Sequence, residues 1–138
     1  MSNLDWKQKL LDFSLVQKAS VLKQIHQIVE DGVYGKDYTI APREKNKKLR
    51  VDYWLSDEKI KEILLSLRIE EFIEIDDSDN ENHIGDIVCI FQKKYLLMPR
   101  WKENSDYEMV SLYIKITKPK NGELLFIISF HEAEYEFE

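Results

Sequence analysis

The segment Met109-Val110-Ser111-Leu112-Tyr113-Ile114-Lys115-Ile116-Thr117 alternates without a break, with Val110, Leu112, Ile114 and Ile116 on one side and Ser111, Tyr113, Lys115 and Thr117 on the other. A period of two is that of a strand with one buried face. After Asn121-Gly122, the run Leu124-Leu125-Phe126-Ile127-Ile128-Ser129-Phe130-His131 repeats the pattern, placing Leu124, Phe126, Ile128 and Phe130 opposite Leu125, Ile127, Ser129 and His131. The two runs read as a hairpin. Its register decides whether the polar sets coincide, because a slip of one residue turns a strand over. A two-residue Asn121-Gly122 loop pairs Tyr113 with Phe130 and mixes the faces. A three-residue Lys120-Asn121-Gly122 loop sets Ile116 opposite Phe126, Ile114 opposite Ile128 and Leu112 opposite Phe130, which keeps the apolar rows together and is the register expected. Tyr113 then lies opposite Ser129, with His131 as its diagonal neighbour.

Working outward, strands are expected at Ile87 to Tyr95 and Glu134 to Phe137 as well as in the hairpin. In the strand Asp86 to Tyr95, hydrophobicity leaves the orientation open; if Cys89 and Phe91 face the core, Gln92 and Lys94 join the polar face. Upstream, Leu10, Phe13, Val16, Ala19, Leu22, Ile25 and Val29 recur at helical spacing until Asp31-Gly32 ends the run. Tyr38 to Ala41 reads as an extended edge segment stopped by Pro42, and Arg43 to Arg50 as a turn or short helix. Ser56 caps a helix whose buried stripe is Ile60, Ile63, Leu64 and Leu67, with one more helical turn expected from Glu70 to Ile75. The expectation is therefore a single α+β domain over residues 1–138. Its N-terminal helices, within 1–75, pack on one face of an antiparallel sheet within 84–138 and leave the other face free.

Composition bounds the function. The chain has 138 residues, 33% charged and 43% hydrophobic, with a formal net charge of -6, which weighs against gripping long nucleic acid by charge alone. Basic residues nevertheless cluster at Arg43, Lys45, Lys47, Lys48 and Arg50, and at Lys93, Lys94, Arg100 and Lys102. Arg100 and Lys102, with Pro99 and Trp101, are carried by the long connection Leu96 to Glu108, whose length suggests a functional loop. No stretch approaches the roughly 18 apolar residues of a membrane span and no signal-like leader opens the chain, so a cytoplasmic protein is expected. The single Cys89 rules out an internal disulfide and reads as a buried small hydrophobe. The acidic run Asp76 to Asn82 lacks the glycine and glutamate of a calcium loop, and His26 with Glu30 is too few groups for a metal site. No metal and no cofactor is expected.

Tyr113-Ile114-Lys115-Ile116-Thr117 followed by Ile127-Ile128-Ser129-Phe130-His131-Glu132-Ala133-Glu134 resembles the MqsR family of toxin ribonucleases, in the RelE-like fold group. Pro42-Arg43-Glu44-Lys45-Asn46, Ile63-Leu64-Leu65-Ser66-Leu67 and Gly85-Asp86-Ile87-Val88-Cys89-Ile90-Phe91 extend the likeness over roughly residues 38 to 134. The resemblance implies metal-independent cleavage of messenger RNA by the ribose 2'-hydroxyl, and restraint by an antitoxin protein. By position Tyr113 matches the family's active-site tyrosine, His131 falls where members carry lysine or histidine, and Gln92 matches a glutamine of one branch. A further lysine of that branch falls near Glu74, a departure that leaves Lys94, Lys115 or a basic residue of the Lys93 to Lys102 region to bind phosphate.

The chemistry accommodates these residues. Cleavage needs a base for the 2'-proton, an acid for the leaving 5'-oxygen and positive charge for the phosphorane. Imidazole ordinarily titrates near neutral pH, which makes His131 the candidate acid or base, a role contributing roughly 10² to 10⁴-fold in rate. Lys115 is the candidate for phosphorane stabilisation, and Tyr113 for orienting the hydroxyl or stacking on a base. Gln92, Lys94, Lys93, Arg100, Arg43 and Lys45 are the candidate RNA contacts. The alternative is a non-catalytic interaction module of the same fold, a degenerate toxin or inhibitor, which the acidic composition favours.

Overall fold

The computed structural model describes residues 3–77, 86–101, 106–118 and 124–134, with side chains from residue 14 onward except at residue 77. Helix α1 spans Asn3–Asp31 and is followed by strand β1, Tyr38–Ile40. Helices α2, Glu44–Asp52, and α3, Asp57–Leu65, come next, then a single 3-10 turn at Ile69–Glu71. Strands β2, Phe72–Asp77, β3, Ile87–Leu97, β4, Glu108–Lys118, and β5, Leu125–Glu132, complete a five-stranded sheet in the order β1-β5-β4-β3-β2. Among the described residues, the mixture of three α-helices and one sheet is consistent with an α+β fold.

Local chemistry sets several boundaries. The Ser56 hydroxyl accepts the Lys59 amide at 3.1 Å and Asp57 and Glu58 occupy the first turn of α3, as the sequence predicts. Such a cap stabilises by about 1 kcal/mol. A side chain at Gly32 would collide with the Ile28 carbonyl and Asp37, so the exit from α1 requires glycine. Val21, Leu22, Ile25 and Val29 of α1, Ile60, Ile63 and Leu64 of α3, and Cys89, Phe91, Leu112, Ile114, Ile116 and Phe130 of the sheet are buried in one core cluster. Burial of each large member contributes roughly 1.5 to 3 kcal/mol.

Three sequence expectations change. The helical turn expected at Glu70 to Ile75 is a 3-10 turn followed by β2, where alternating Ile75 pairs with the core residue Cys89. The sheet therefore draws β1 and β2 from the first 77 residues, and β1 runs parallel to β5, so the sheet is not purely antiparallel. The hairpin register also differs. Thr117 pairs with Phe126 and Ile116 with Ile127, the register a two-residue Asn121-Gly122 loop would set, until a bulge at Ile128 shifts the pairing by one. Beyond it Ile114 pairs with Phe130, Lys115 with Ser129 and Tyr113 with His131. Leu125 and Ile127 accordingly face the core rather than the polar side, and Leu124 and Phe126 are partly exposed. The loop itself and the strand expected at Glu134 to Phe137 lie outside the described residues, as does most of the acidic run.

The bulge is held from outside. Along the outer edge of β5, β1 reaches only to Ile127, whose carbonyl accepts the Ala41 amide at 2.8 Å. There α2 takes over: the buried Asn46 side chain donates to the carbonyls of Ala41 and Ile128, each at 2.9 Å, and accepts the Phe130 amide at 2.8 Å. One side chain thus satisfies outward backbone groups of β5 that lie beyond the end of β1.

Candidate functional site

Across the outer face of the sheet, Gln92, Tyr113 and His131 form one continuous row on β3, β4 and β5. The Tyr113 and His131 rings are stacked, with centroids 5.5 Å apart and planes 24° from parallel. They are direct cross-strand partners rather than the diagonal neighbours expected, a consequence of the bulge. The three side chains, with Lys45, Ala133 and Glu134, line a hollow of about 320 Å³. His131 Nδ1 lies 2.9 Å from the Glu132 carbonyl. A carbonyl only accepts, so Nδ1 carries the proton, and Nε2 is left with the lone pair in the neutral ring.

The next row places Lys115 between Ile90 and Ser129. Two strand positions put Lys115 about 7 Å from Tyr113 along β4 on the same face. Ser129 is buried although it faces outward, because Arg43 covers it: Nη1 lies 3.4 Å from the Ser129 hydroxyl and 3.5 Å from the Ile128 carbonyl. Lys45 pairs with Glu134 at the rim of the hollow. Lys45 beside it, by hydrogen bond first and by charge, holds the Glu134 carboxyl below its usual range, with His131 adding to the effect.

The remaining expected RNA contacts divide. Cys89 and Phe91 face the core, so Gln92 and the exposed Lys94 lie on the outer face. Lys93 does not join them. Its ammonium is buried among inner-face residues, paired with Glu71 at 2.9 Å and donating to the Ser66 carbonyl at 3.2 Å. Arg100 is anchored by hydrogen bonds from Nε to the carbonyls of Arg50 at 2.7 Å and Tyr53 at 3.1 Å, with its guanidinium 4.2 Å from the Trp54 ring centroid. Asn46 is the residue that sequence reasoning missed. A buried asparagine inside a basic run carries no periodic signal, and only its tertiary contacts give it a role.

Cys89 is wholly buried and burial pushes its thiol up to about 12, which removes it as a nucleophile near neutral pH. Among the described residues no cluster of three metal-ligating side chains occurs, and no helix is long and apolar enough to cross a membrane. Glu74, where the resemblance anticipates lysine, is exposed on β2 and pairs with Ile90, at the far end of the Lys115 row. Comparison with family models, curated proteins and solved structures finds no match.

Proposed function

We propose that this chain is a metal-independent endoribonuclease toxin of a toxin-antitoxin pair, acting on messenger RNA in the cytoplasm. In this reading the helices cover the inner face of the sheet in a RelE-like arrangement, and the outer face meets RNA. The observation that carries the reading is the stacked Tyr113 and His131 pair in a hollow, with the imidazole Nε2 left for substrate.

The residues supply the parts that transesterification requires. His131 Nε2 takes the 2'-proton as base or, once protonated, gives a proton to the departing 5'-oxygen as acid. The 2'-oxygen bonds to phosphorus, the bond to the 5'-oxygen breaks, and the products are a 2',3'-cyclic phosphate and a 5'-hydroxyl. Lys115 stabilises the phosphorane, whose charge exceeds that of the bound phosphate. Tyr113 and Gln92 orient the ribose or base, while Arg43, Lys45 and Lys94 meet the flanking phosphates. A protein antitoxin restrains the enzyme by covering this face or its rim.

Induced expression tests the proposal: the wild type arrests growth and His131→Ala, on the surface and outside the core, does not, at equal soluble yield. Arrest by the His131→Ala variant removes His131 from the mechanism. One observation favours the interaction module instead, the carboxylate of Glu74 on the outer face. Wild-type protein that neither arrests growth nor cuts RNA would decide for that reading.

A further inference from the structure

The outer face does not stop at Lys94. Burial alternates past the end of β3, with Lys93, Leu97 and Pro99 buried and Lys94, Leu96 and Met98 less so, which carries the Gln92 row on through Leu96 and Met98 to Arg100. The segment 52–54 extends the sheet beside it: the Trp54 amide donates to the Met98 carbonyl and the Arg100 amide to the Asp52 carbonyl, each at 2.9 Å, around a bridge between Tyr53 and Pro99. Trp54 therefore shares a face with Met98 and Arg100.

Trp54 is 56% exposed and Trp101 is 77% exposed, a large apolar area left in water. Both indoles are nevertheless held in place. Trp54 lies under the Arg100 guanidinium, which is itself anchored to two carbonyls, and Trp101 Nε1 donates to the Val51 carbonyl at 2.8 Å. Two anchored, exposed indoles, one of them with a cation on it, match what unpaired nucleotides bind: rings for stacking and positive charge for phosphate.

We propose that Trp54, Arg100 and Trp101 form a stacking subsite for single-stranded RNA, remote from the scissile bond, with Trp54 and Arg100 on the face that carries Tyr113 and His131 and Trp101 next to Arg100 in the chain. The proposal takes the RNA of the nuclease reading as its ligand and extends it to distant nucleotides. Seven strand positions from Gln92 to Pro99 set the subsite about 20 to 25 Å from the Tyr113 and His131 pair, with Lys94 between them. Charge favours RNA over an apolar protein surface, since a protein seated here would take the Arg100 guanidinium out of water, whereas a phosphate pairs with it.

The test uses the full chain with His131→Ala, so that substrate survives, and a labelled unstructured RNA of about 12 nucleotides. RNA is expected to quench tryptophan fluorescence, and Trp54→Ala with Trp101→Ala to weaken binding about tenfold or more. Phenylalanine at both positions keeps most of the affinity and the fold but loses the quenching. With His131 restored, the double alanine variant raises KM for long RNA while kcat, and cleavage of a dinucleotide, stay unchanged. RNA affinity equal to the parent's in the alanine variant overturns the subsite. Wild type that binds RNA through these indoles but leaves it uncut upholds the subsite and defeats the nuclease reading.

Discussion

Lys93 and Lys94 are adjacent in β3 and differ in nearly every physical respect. Lys93 lies on the inner face, buried and tied to Glu71, while Lys94 lies on the outer face in water. The same division separates the buried Cys89 from Gln92, and Phe130 from His131 one residue later. Residue type does not decide which groups reach the outer face. The phase of the strand does, and in β5 that phase is set by the bulge at Ile128.

The largest expected effect breaks this contrast at the lysines. Lys93→Ala leaves the Glu71 carboxylate without its buried partner and is expected to cost about 3 kcal/mol of unfolding free energy. Lys94→Ala is expected to change stability by no more than about 0.5 kcal/mol and to weaken RNA binding instead. Denaturant unfolding with RNA titration checks both, and equal stability losses would erase the distinction between the faces.

Next in size is the clamp on the bulge. Asn46→Ala orphans the Phe130 amide, leaves the Ile128 carbonyl only its longer contact with Arg43, and is expected to cost about 2 to 3 kcal/mol. Cleavage should fall with it, because the row joining Gln92, Tyr113 and His131 depends on the shifted register. A variant of wild-type activity and stability would show that β5 keeps its phase without α2.

A smaller effect sharpens the account of the inner face. Cys89 titrates near 9 when unperturbed and is pushed up to about 12 in the fold, so between those values the unfolded chain has lost a proton the native state keeps. Stability is then full below about pH 9 and falls as pH rises toward 12. Unfolding curves across that window should slope less steeply in Cys89→Ala, and a thiol reagent should react only after denaturation. Smallest is the rim: Glu134→Gln removes an exposed ion pair to Lys45 and should leave the melting temperature unchanged.

Much of this was legible in the sequence. The strict alternation of β4 fixed its faces, Ser56 marked the start of α3, and Ser129 and His131 were rightly assigned outward. The first half of β5 was not legible, because Leu125, Phe126, Ile127 and Ile128 are apolar on both faces and offer no contrast to set a phase. The short β2 begins at a bulge between Phe72 and Glu74, which disguised it as a helical turn. The burial of Lys93 was not legible, because charge in sequence does not reveal a buried partner 22 residues away.

The most direct test of the central claim is the chemistry of RNA ends left by purified protein in excess chelator. Wild type is expected to yield 2',3'-cyclic phosphate and 5'-hydroxyl ends, and His131→Ala intact RNA. Cleavage that stops with chelator, or 5'-phosphate ends, would contradict a reaction carried by Tyr113, Lys115 and His131.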